Sequence, residues 1–219
     1  MKKNRKYIIP AAIIMIMLSG LLSCKKAAYL TDGGTSTAKS SLSTYDYLKG
    51  HKYHYFDTVV LLIDHFNLKD SVNKAGTFFA FTDFSVNSLM KSLSVTTLDG
   101  LYAKISSRLL TQYMFTNTLT LNNASSTTAV QVPDWAGNAA PAAYTKAPFA
   151  YTVFLTNSSP VFTYYTLAYV KINGVLDGSP GAPANDPPDL VISCQTTGIQ
   201  TATGTTLHVL INNTPLNIL

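Results

Sequence analysis

The residue whose setting most clearly predicts chemistry is Cys24, which follows a basic start and a short apolar run. Residues 1–6 carry four of the chain's 16 basic residues, and a proline and a glycine interrupt the apolar run from Tyr7 to Leu22. This layout is typical of a secretory signal peptide, because a membrane-spanning helix needs about 20 apolar residues. Acylation of a cysteine thiol at the exit of such a run would attach the exported chain to a membrane.

The tetrapeptide Leu21-Leu22-Ser23-Cys24 resembles the bacterial lipobox. In that motif the cysteine takes a diacylglycerol and becomes the first residue of the mature chain. We therefore expect residues 1–23 to be a lipoprotein signal peptide, and a lipid bilayer to be the partner of acylated Cys24. The expected location is the cell envelope, at the outer membrane, on its cell-surface or its periplasmic face. The alternative is an ordinary signal peptide with an incidental cysteine.

The charge balance of residues 24–219 gives no indication of nucleic-acid binding. Without the four cations of residues 1–6, 12 basic residues face 11 acidic ones, all of them aspartate, for a net charge of +1. The basic character of the whole chain therefore belongs to the expected signal peptide, and we predict no nucleic-acid partner. A polar surface with so few charges is typical of an exported protein that binds uncharged polar partners, or of inert surface material.

Candidate catalytic residues are sparse. Gly178-Ser179-Pro180-Gly181 lacks the strand-to-helix setting of a nucleophile elbow, and the absence of glutamate leaves only aspartates for a carboxylate pair. His51, His54 and Asp57 have the spacing of metal ligands on a helix, but a solvated helix entry is the favoured interpretation. We predict that the protein is not an enzyme and has no cofactor and no metal site. The alternative is an anchored accessory hydrolase that acts on exported polymers.

The elements that would position these residues fall into two blocks. Apolar residues recur at helical spacing from Phe56 to Met114, interrupted by a short apolar strand at Thr77–Phe81. The period then changes to two, which predicts strands at Thr128–Val132, Tyr151–Leu155, Tyr165–Ile172, Leu190–Cys194 and Leu207–Ile211. This order predicts an α+β domain over residues 44–219, with a mostly helical N-terminal half and a C-terminal half made mostly of strands. Proline-rich stretches near 133–148 and 177–189 are expected to be surface loop insertions.

Two further expectations concern the ends of this domain. Residues 24–43 are small and polar, which indicates a flexible tether between the anchor and the domain. With Cys24 acylated, Cys194 is the one remaining cysteine, so no intramolecular disulfide is expected. Cys194 ends a predicted strand and is interpreted as a small buried hydrophobe, not as a reactive thiol.

Several ordered segments of this domain resemble the conserved boxes of the fasciclin domain family. They are Thr77–Val86, Leu109–Met114, Val170–Gly174 and Thr203–Leu210, and together they cover the domain. The resemblance implies a fasciclin-like β-sandwich or wedge with helices packed on it. It also implies a binding or adhesion module that contacts extracellular matrix, a glycan or another envelope protein. The matching motif residues are Thr77, Phe79, Ala80, Thr82, Asp83, Tyr113, Gly204, His208 and Val209.

The residue types of these boxes have structural interpretations. Thr82 and Asp83 are expected to cap the helix that follows the Thr77–Phe81 strand. His208 is expected to be a hydrogen-bonded, partly buried imidazole, and Tyr113 to pack its ring and direct its hydroxyl at a backbone group. Met114 stands where the family usually has histidine, so the adhesion role linked to that Tyr-His pair is not transferred to this chain.

Trp135, the chain's single tryptophan, lies in the first proline-rich stretch, and Tyr144 follows it. A flat ring flanked by the hydrogen-bonding groups of Asp134 and Asn138 suits a sugar face. Trp135 and Tyr144 are therefore candidate ligand contacts. The favoured alternative is that Trp135 packs the loop back onto the domain, since most large aromatic side chains are largely buried.

Overall fold

The structure is a computed structural model that describes residues 39–124, 129–132, 135, 142–152, 161–212 and 214–216. The expected signal peptide, Cys24 and residues 24–38 of the expected tether lie outside the described residues. The described chain is α+β, with helices and one mixed β-sheet. None of its helices has the length and apolarity needed to cross a bilayer.

The described helices lie between Thr44 and Thr111. They are α1 (Thr44–Lys49), α2 (Asp57–His65), α3 (Lys69–Lys74), α4 (Asp83–Ser92), α5 (Leu98–Tyr102) and α6 (Arg108–Thr111). The stretch from Leu101 to Met114, which the spacing predicts to be a single helical region, contains parts of two short helices. The Ser106 hydroxyl accepts the Arg108 N–H at 3.3 Å, and serines at such positions favour a new helix start over continuation.

The strands form one sheet in the order β2-β1-β7-β6-β5-β4-β3. Strands β1 and β7 pair in parallel, with Phe79 opposite His208, and every other described pair is antiparallel. The two strands that hold the first and last fasciclin-like boxes are therefore neighbours. The strands are β1 (Thr77–Ala80), β2 (Met114–Phe115), β3 (Val130–Val132), β4 (Ala142–Thr152), β5 (Val161–Lys171), β6 (Leu190–Gln200) and β7 (Thr206–Leu210).

The first expected loop insertion ends earlier than residue 148, because β4 already begins at Ala142. Pro148 lies within β4, opposite Tyr165 of β5. Strand β3 pairs with β4 only as far as Tyr144, so Pro148 has no described strand on its other side. A proline is tolerated at such an edge, because no ladder bond is lost there. The second proline-rich stretch, 177–189, contains no helix or strand.

Residues 39–43, which composition assigns to the flexible tether, are part of the folded unit. The Ser40 N–H donates to the Gln200 carbonyl at 2.8 Å, where β6 ends. Ser43 is the N-cap of α1, and its hydroxyl accepts the Asp46 N–H at 3.1 Å. The small polar residues that suggested a tether also provide caps and accessible backbone groups, so composition alone does not separate the two states.

The core contains a buried aromatic cluster, which we define as Phe79, Phe81, Tyr113, Phe115 and Tyr169. Phe79 lies within it and has no exposed surface. Its ring centroid is 5.7 Å from Phe115 and 5.8 Å from Tyr169. Phe79 therefore faces inward, and strand β1 forms part of the hydrophobic core.

Candidate functional site

Two fasciclin-like motif residues on neighbouring strands hold the same segment of chain. The buried Thr77 hydroxyl donates to the Asn117 carbonyl at 2.7 Å and accepts the Leu119 N–H at 2.8 Å. One strand away, the His208 Nε2 lies 2.8 Å from the Leu119 carbonyl. Thr77 and His208 together therefore fix the chain after β2 to the sheet.

The contacts of His208 determine its protonation state. The Gly198 N–H donates to Nδ1 at 3.1 Å, so Nε2 carries the proton and donates to Leu119. Gly198 has a φ of 77°, and β6 is irregular on both sides of Thr196, so the strand bends its N–H toward the imidazole. Burial lowers the pKa of His208 to about 4, although the hydrogen bond to Leu119 acts in the opposite direction. His208 is neutral and structural, as its strand setting predicts, and it is fully buried.

Asp83 caps a different helix from the one predicted. Its carboxylate accepts the N–H groups of Thr58 and Val59 at 3.0–3.1 Å, at the N-terminus of α2. Burial raises the pKa of Asp83, and these hydrogen bonds oppose that rise. Thr82 is the N-cap residue of α4, but its hydroxyl donates to the Asn212 side chain and caps no N–H. The expected capping of α4 by both side chains is wrong, because tertiary partners take the two side chains.

Tyr113 packs its ring against Phe81 and Tyr169, as expected, with ring centroids 5.4 Å and 4.8 Å away. Its buried hydroxyl has no hydrogen-bond partner, so the expected bond to a backbone group is absent. Burial raises the pKa of Tyr113 and likewise that of the free thiol of Cys194. Cys194 is thus a buried, inert side chain, in agreement with its interpretation from sequence.

The remaining motif residues also have structural roles. Ala80 is fully buried and lies opposite Val209, where β1 and β7 pair. Gly204 has a φ of 89° in the turn between β6 and β7, a conformation that favours glycine. The motif residues therefore lie in the core, in a tight turn and at helix starts, and they form no open site among the described residues.

The two aromatic candidates of the first proline-rich stretch give different outcomes. Trp135 is half-buried and packs against the core. Its backbone N–H donates to the Met114 carbonyl at 2.9 Å. This supports the alternative in which Trp135 fastens its loop to the domain. Tyr144 lies in β4, paired with Val130 and Tyr169, and its side chain is outside the described residues.

A second set of aromatic residues lies at the surface, and we call it the surface aromatic cluster: Tyr47, His51, Tyr53, Tyr55 and Phe84. The rings of Tyr53 and Tyr55 stack with centroids 5.7 Å apart. Tyr53 is 62% exposed, Phe84 47% and Tyr55 40%, values unusual for large apolar rings. Several neighbouring exposed rings typically indicate an interaction site.

His51 is the polar centre of the surface aromatic cluster. Its ring lies 5.4 Å from that of Tyr55 and 5.1 Å from that of buried Phe56. Its Nδ1 is buried without a hydrogen-bond partner, an arrangement that costs roughly 1–3 kcal/mol. Burial lowers the pKa of His51, and the neighbouring His54 lowers it further.

An open groove of about 470 Å³ lies beside these rings, and we call it the aromatic groove. This volume falls within the roughly 300–1,000 Å³ of small-molecule sites. One side comes from the segment before α1, which the 2.8 Å bond from the Ala202 N–H to the Leu42 carbonyl holds in place. The other side comes from α1 and the turn after it. The lining residues are Lys39, Ser40, Ser41, Leu42, Tyr47, Gly50, His51, Lys52 and Tyr53.

Asp83 fixes the C-terminal end of the turn that carries these rings. The Asp83 N–H donates to the Tyr55 carbonyl at 2.9 Å, while the Asp83 carboxylate caps α2 immediately afterwards. His54 takes a positive φ of 54° and places its Nδ1 3.1 Å from the Asp57 carboxylate. Within the described residues no group of His, Cys or Asp side chains is arranged to hold a metal ion. His54 and Asp57 lie at a solvent-exposed helix entry, whereas the Nδ1 of His51 is buried.

The chain matches no protein-family model and no curated protein. The site must therefore be judged from its own geometry, and the aromatic groove is the described surface that best fits a ligand. The tyrosines before α2 were not predicted from the sequence to form a site. The signal that could have revealed it is the run from Tyr53 to Phe56, where three aromatic residues fall within four positions, because a short turn cannot bury them all.

Proposed function

We propose that this protein is an exported, lipid-anchored binding module of fasciclin-like type, and that its aromatic groove contacts a glycan of the matrix or envelope. The observation that carries the proposal is the stacked, exposed pair Tyr53 and Tyr55 beside an open groove. Sugar rings present flat C–H faces that pack on aromatic rings and hydroxyls that need polar partners. The groove offers both, with aromatic rings and the hydroxyls of Ser40 and Ser41.

The fasciclin-like part of the proposal is supported by the positions of its boxes in the sheet. Residues Thr77–Ala80 and Thr206–Val209, far apart in sequence, form the parallel pair β1–β7. Side chains of both boxes fasten the segment that ends at Leu119. Such interdependence is expected when separated boxes belong to one structural unit.

The anchor is tested by fractionating cells that express the wild-type chain or Cys24→Ala. The wild type is expected in the detergent phase, because acyl chains hold it in the bilayer. Cys24→Ala is expected to leave that phase while keeping its fold. If Cys24→Ala stays with the detergent, the lipid-anchor part of the proposal is wrong.

The binding role is tested with the full-length protein in detergent micelles on an array of neutral and acidic polysaccharides. The double variant Tyr53→Ala/Tyr55→Ala is expected to lose at least about tenfold in affinity for whichever polymer binds, by analogy with the stacking of nucleic-acid bases on aromatic rings, which contributes about 1–3 kcal/mol per base. Leu61→Ala removes a comparably exposed side chain from α2 and serves as the matched control. No binding to any polysaccharide, or equal binding by the double variant, would refute the role of the groove.

A further inference from the structure

We propose that the ligand of the aromatic groove is an acidic polysaccharide, whose sugar faces stack on the tyrosines while its anionic groups pair with Lys39 and Lys52. This inference rests on the proposed function and names the ligand class of the same site. Both the charge and the shape of the groove support this ligand class.

The groove carries positive charge that no carboxylate of its lining compensates. Lys39 and Lys52 both line it, and none of the lining residues is acidic. Both side chains are exposed, and neither makes an ion pair with a described carboxylate. Residues 24–219 have a net charge of only +1, so this is a local excess and not a property of the whole surface. Carboxylate or sulfate groups of a ligand would give both ammonium groups a charge-assisted partner.

Lys52 connects the two kinds of recognition. Its Nζ lies over the Tyr53 ring, 5.5 Å from the ring centre, so one sugar unit at this point can reach both the cation and the aromatic side chain. A sugar unit that carries an acid group on its ring satisfies both side chains at once. A neutral sugar would use the ring and leave the cation without a partner.

The shape of the site favours a polymer chain over a phospholipid surface, the other common source of clustered anions. The site is concave, and polar Ser40 and Ser41 face the aromatic side. Peripheral membrane binding uses apolar side chains that protrude into the acyl region, whereas the exposed Leu42 and Tyr53 line a concavity together with polar Ser40 and Ser41.

The test compares polygalacturonate, dextran sulfate and uncharged dextran as ligands for the full-length protein in detergent micelles. We expect both anionic polymers to bind more tightly than dextran, and the preferred one to distinguish carboxylate from sulfate recognition. Lys39→Gln/Lys52→Gln is expected to weaken anionic binding at least about tenfold and to reduce its salt dependence. Lys91→Gln/Lys104→Gln removes two exposed lysines elsewhere and is expected to bind like the wild type.

The outcomes separate this inference from the proposed function. Equal affinity for dextran, or no effect of Lys39→Gln/Lys52→Gln, would overturn the acidic ligand and leave glycan binding intact. Binding to no polymer would refute both. A third arm uses vesicles of anionic phospholipid and a Cys24→Ala chain without residues 1–23, because that chain lacks both the expected acyl anchor and the basic, apolar signal peptide. Binding to these vesicles without binding to polysaccharide would assign the groove to a membrane surface and overturn the inference.

Discussion

Two histidines of this protein lie among aromatic rings, His208 in the core and His51 at the surface, and they differ in burial and in hydrogen bonding. His208 stacks on Phe79 at 5.0 Å, and both of its nitrogens have backbone partners. His51 lies among rings that are partly exposed, and its buried Nδ1 has no partner. Complete hydrogen bonding is typical of a group that stabilises the fold. An unsatisfied group in a partly open site costs stability, which is more typical of a surface adapted to a ligand.

The two aromatic clusters also differ, in the burial of their rings and in the motif residues that they contain. The buried aromatic cluster contains the fasciclin-like motif residues Phe79 and Tyr113 and no open surface. The surface aromatic cluster contains none of those motif residues, and its members Tyr47, His51 and Tyr53 line the groove. The motif residues therefore have roles in the fold, whereas the ligand, on our proposal, is bound by residues outside them. Substitutions in the two clusters should separate stability from binding.

The largest expected difference is between two phenylalanines. Phe79→Ala should destabilise the fold by roughly 3–5 kcal/mol, because Phe79 is fully buried and its removal leaves a cavity. Phe84→Ala should change stability by less than about 0.5 kcal/mol, because Phe84 is 47% exposed. Denaturant midpoints followed by Trp135 fluorescence measure both. A loss below about 1 kcal/mol for Phe79→Ala would place that ring outside the core.

The second expected effect is an acid sensitivity that comes from His208. Its pKa in the folded state is about 4, below the 6.5 of an ordinary histidine, so the unfolded state binds more protons between these values. The contribution of neutral His208 to the free energy of unfolding is fully present above about pH 6.5. It decreases as the pH falls toward 4, by roughly 3 kcal/mol in total. Unfolding curves at several pH values measure this slope. His208→Phe should flatten it, and His54→Gln, an exposed control, should not; an unchanged slope in His208→Phe would assign the acid sensitivity to another group.

These effects indicate how much the sequence could predict. Strands β1 and β7 and the inward position of Phe79 follow from local apolar patterns, so they were predicted. The capping of α2 by Asp83 was not, because the partners are 24–25 residues apart and meet only through folding. The aromatic groove was missed for the same reason, since one of its sides is held by backbone bonds to Gln200 and Ala202. Pattern identifies elements, but it does not identify which elements meet.

The third expected effect concerns Asp83, which caps α2 beside the surface aromatic cluster. Asp83→Ala should destabilise the fold by about 1–2 kcal/mol, because the Thr58 and Val59 N–H groups lose their cap. Ligand binding should change little, because the bond to the Tyr55 carbonyl comes from the Asp83 backbone N–H, which the substitution keeps. Asp57→Ala removes an exposed carboxylate from the first turn of the same helix and should cost less than about 0.5 kcal/mol. Equal losses in both variants would mean that general charge at the helix start, and not the cap, stabilises α2.

The smallest expected effect is obtained by the same substitution in both clusters. Tyr113→Phe removes a buried hydroxyl that has no partner, so it should raise stability by about 1 kcal/mol. Tyr53→Phe removes an exposed hydroxyl and should leave stability within about 0.5 kcal/mol of the wild type, because water solvates that group in both states. Thermal unfolding of the two variants in parallel measures the difference, and a destabilised Tyr113→Phe would show that its hydroxyl has a partner. The comparison then extends to binding: Tyr113→Phe should bind polysaccharide like the wild type, whereas Tyr53→Phe keeps the ring and should lose only what its hydroxyl contributes. A core substitution that changed affinity as much as one in the groove would mean that the two clusters are coupled, and that the fold and the ligand site are not separable in this protein.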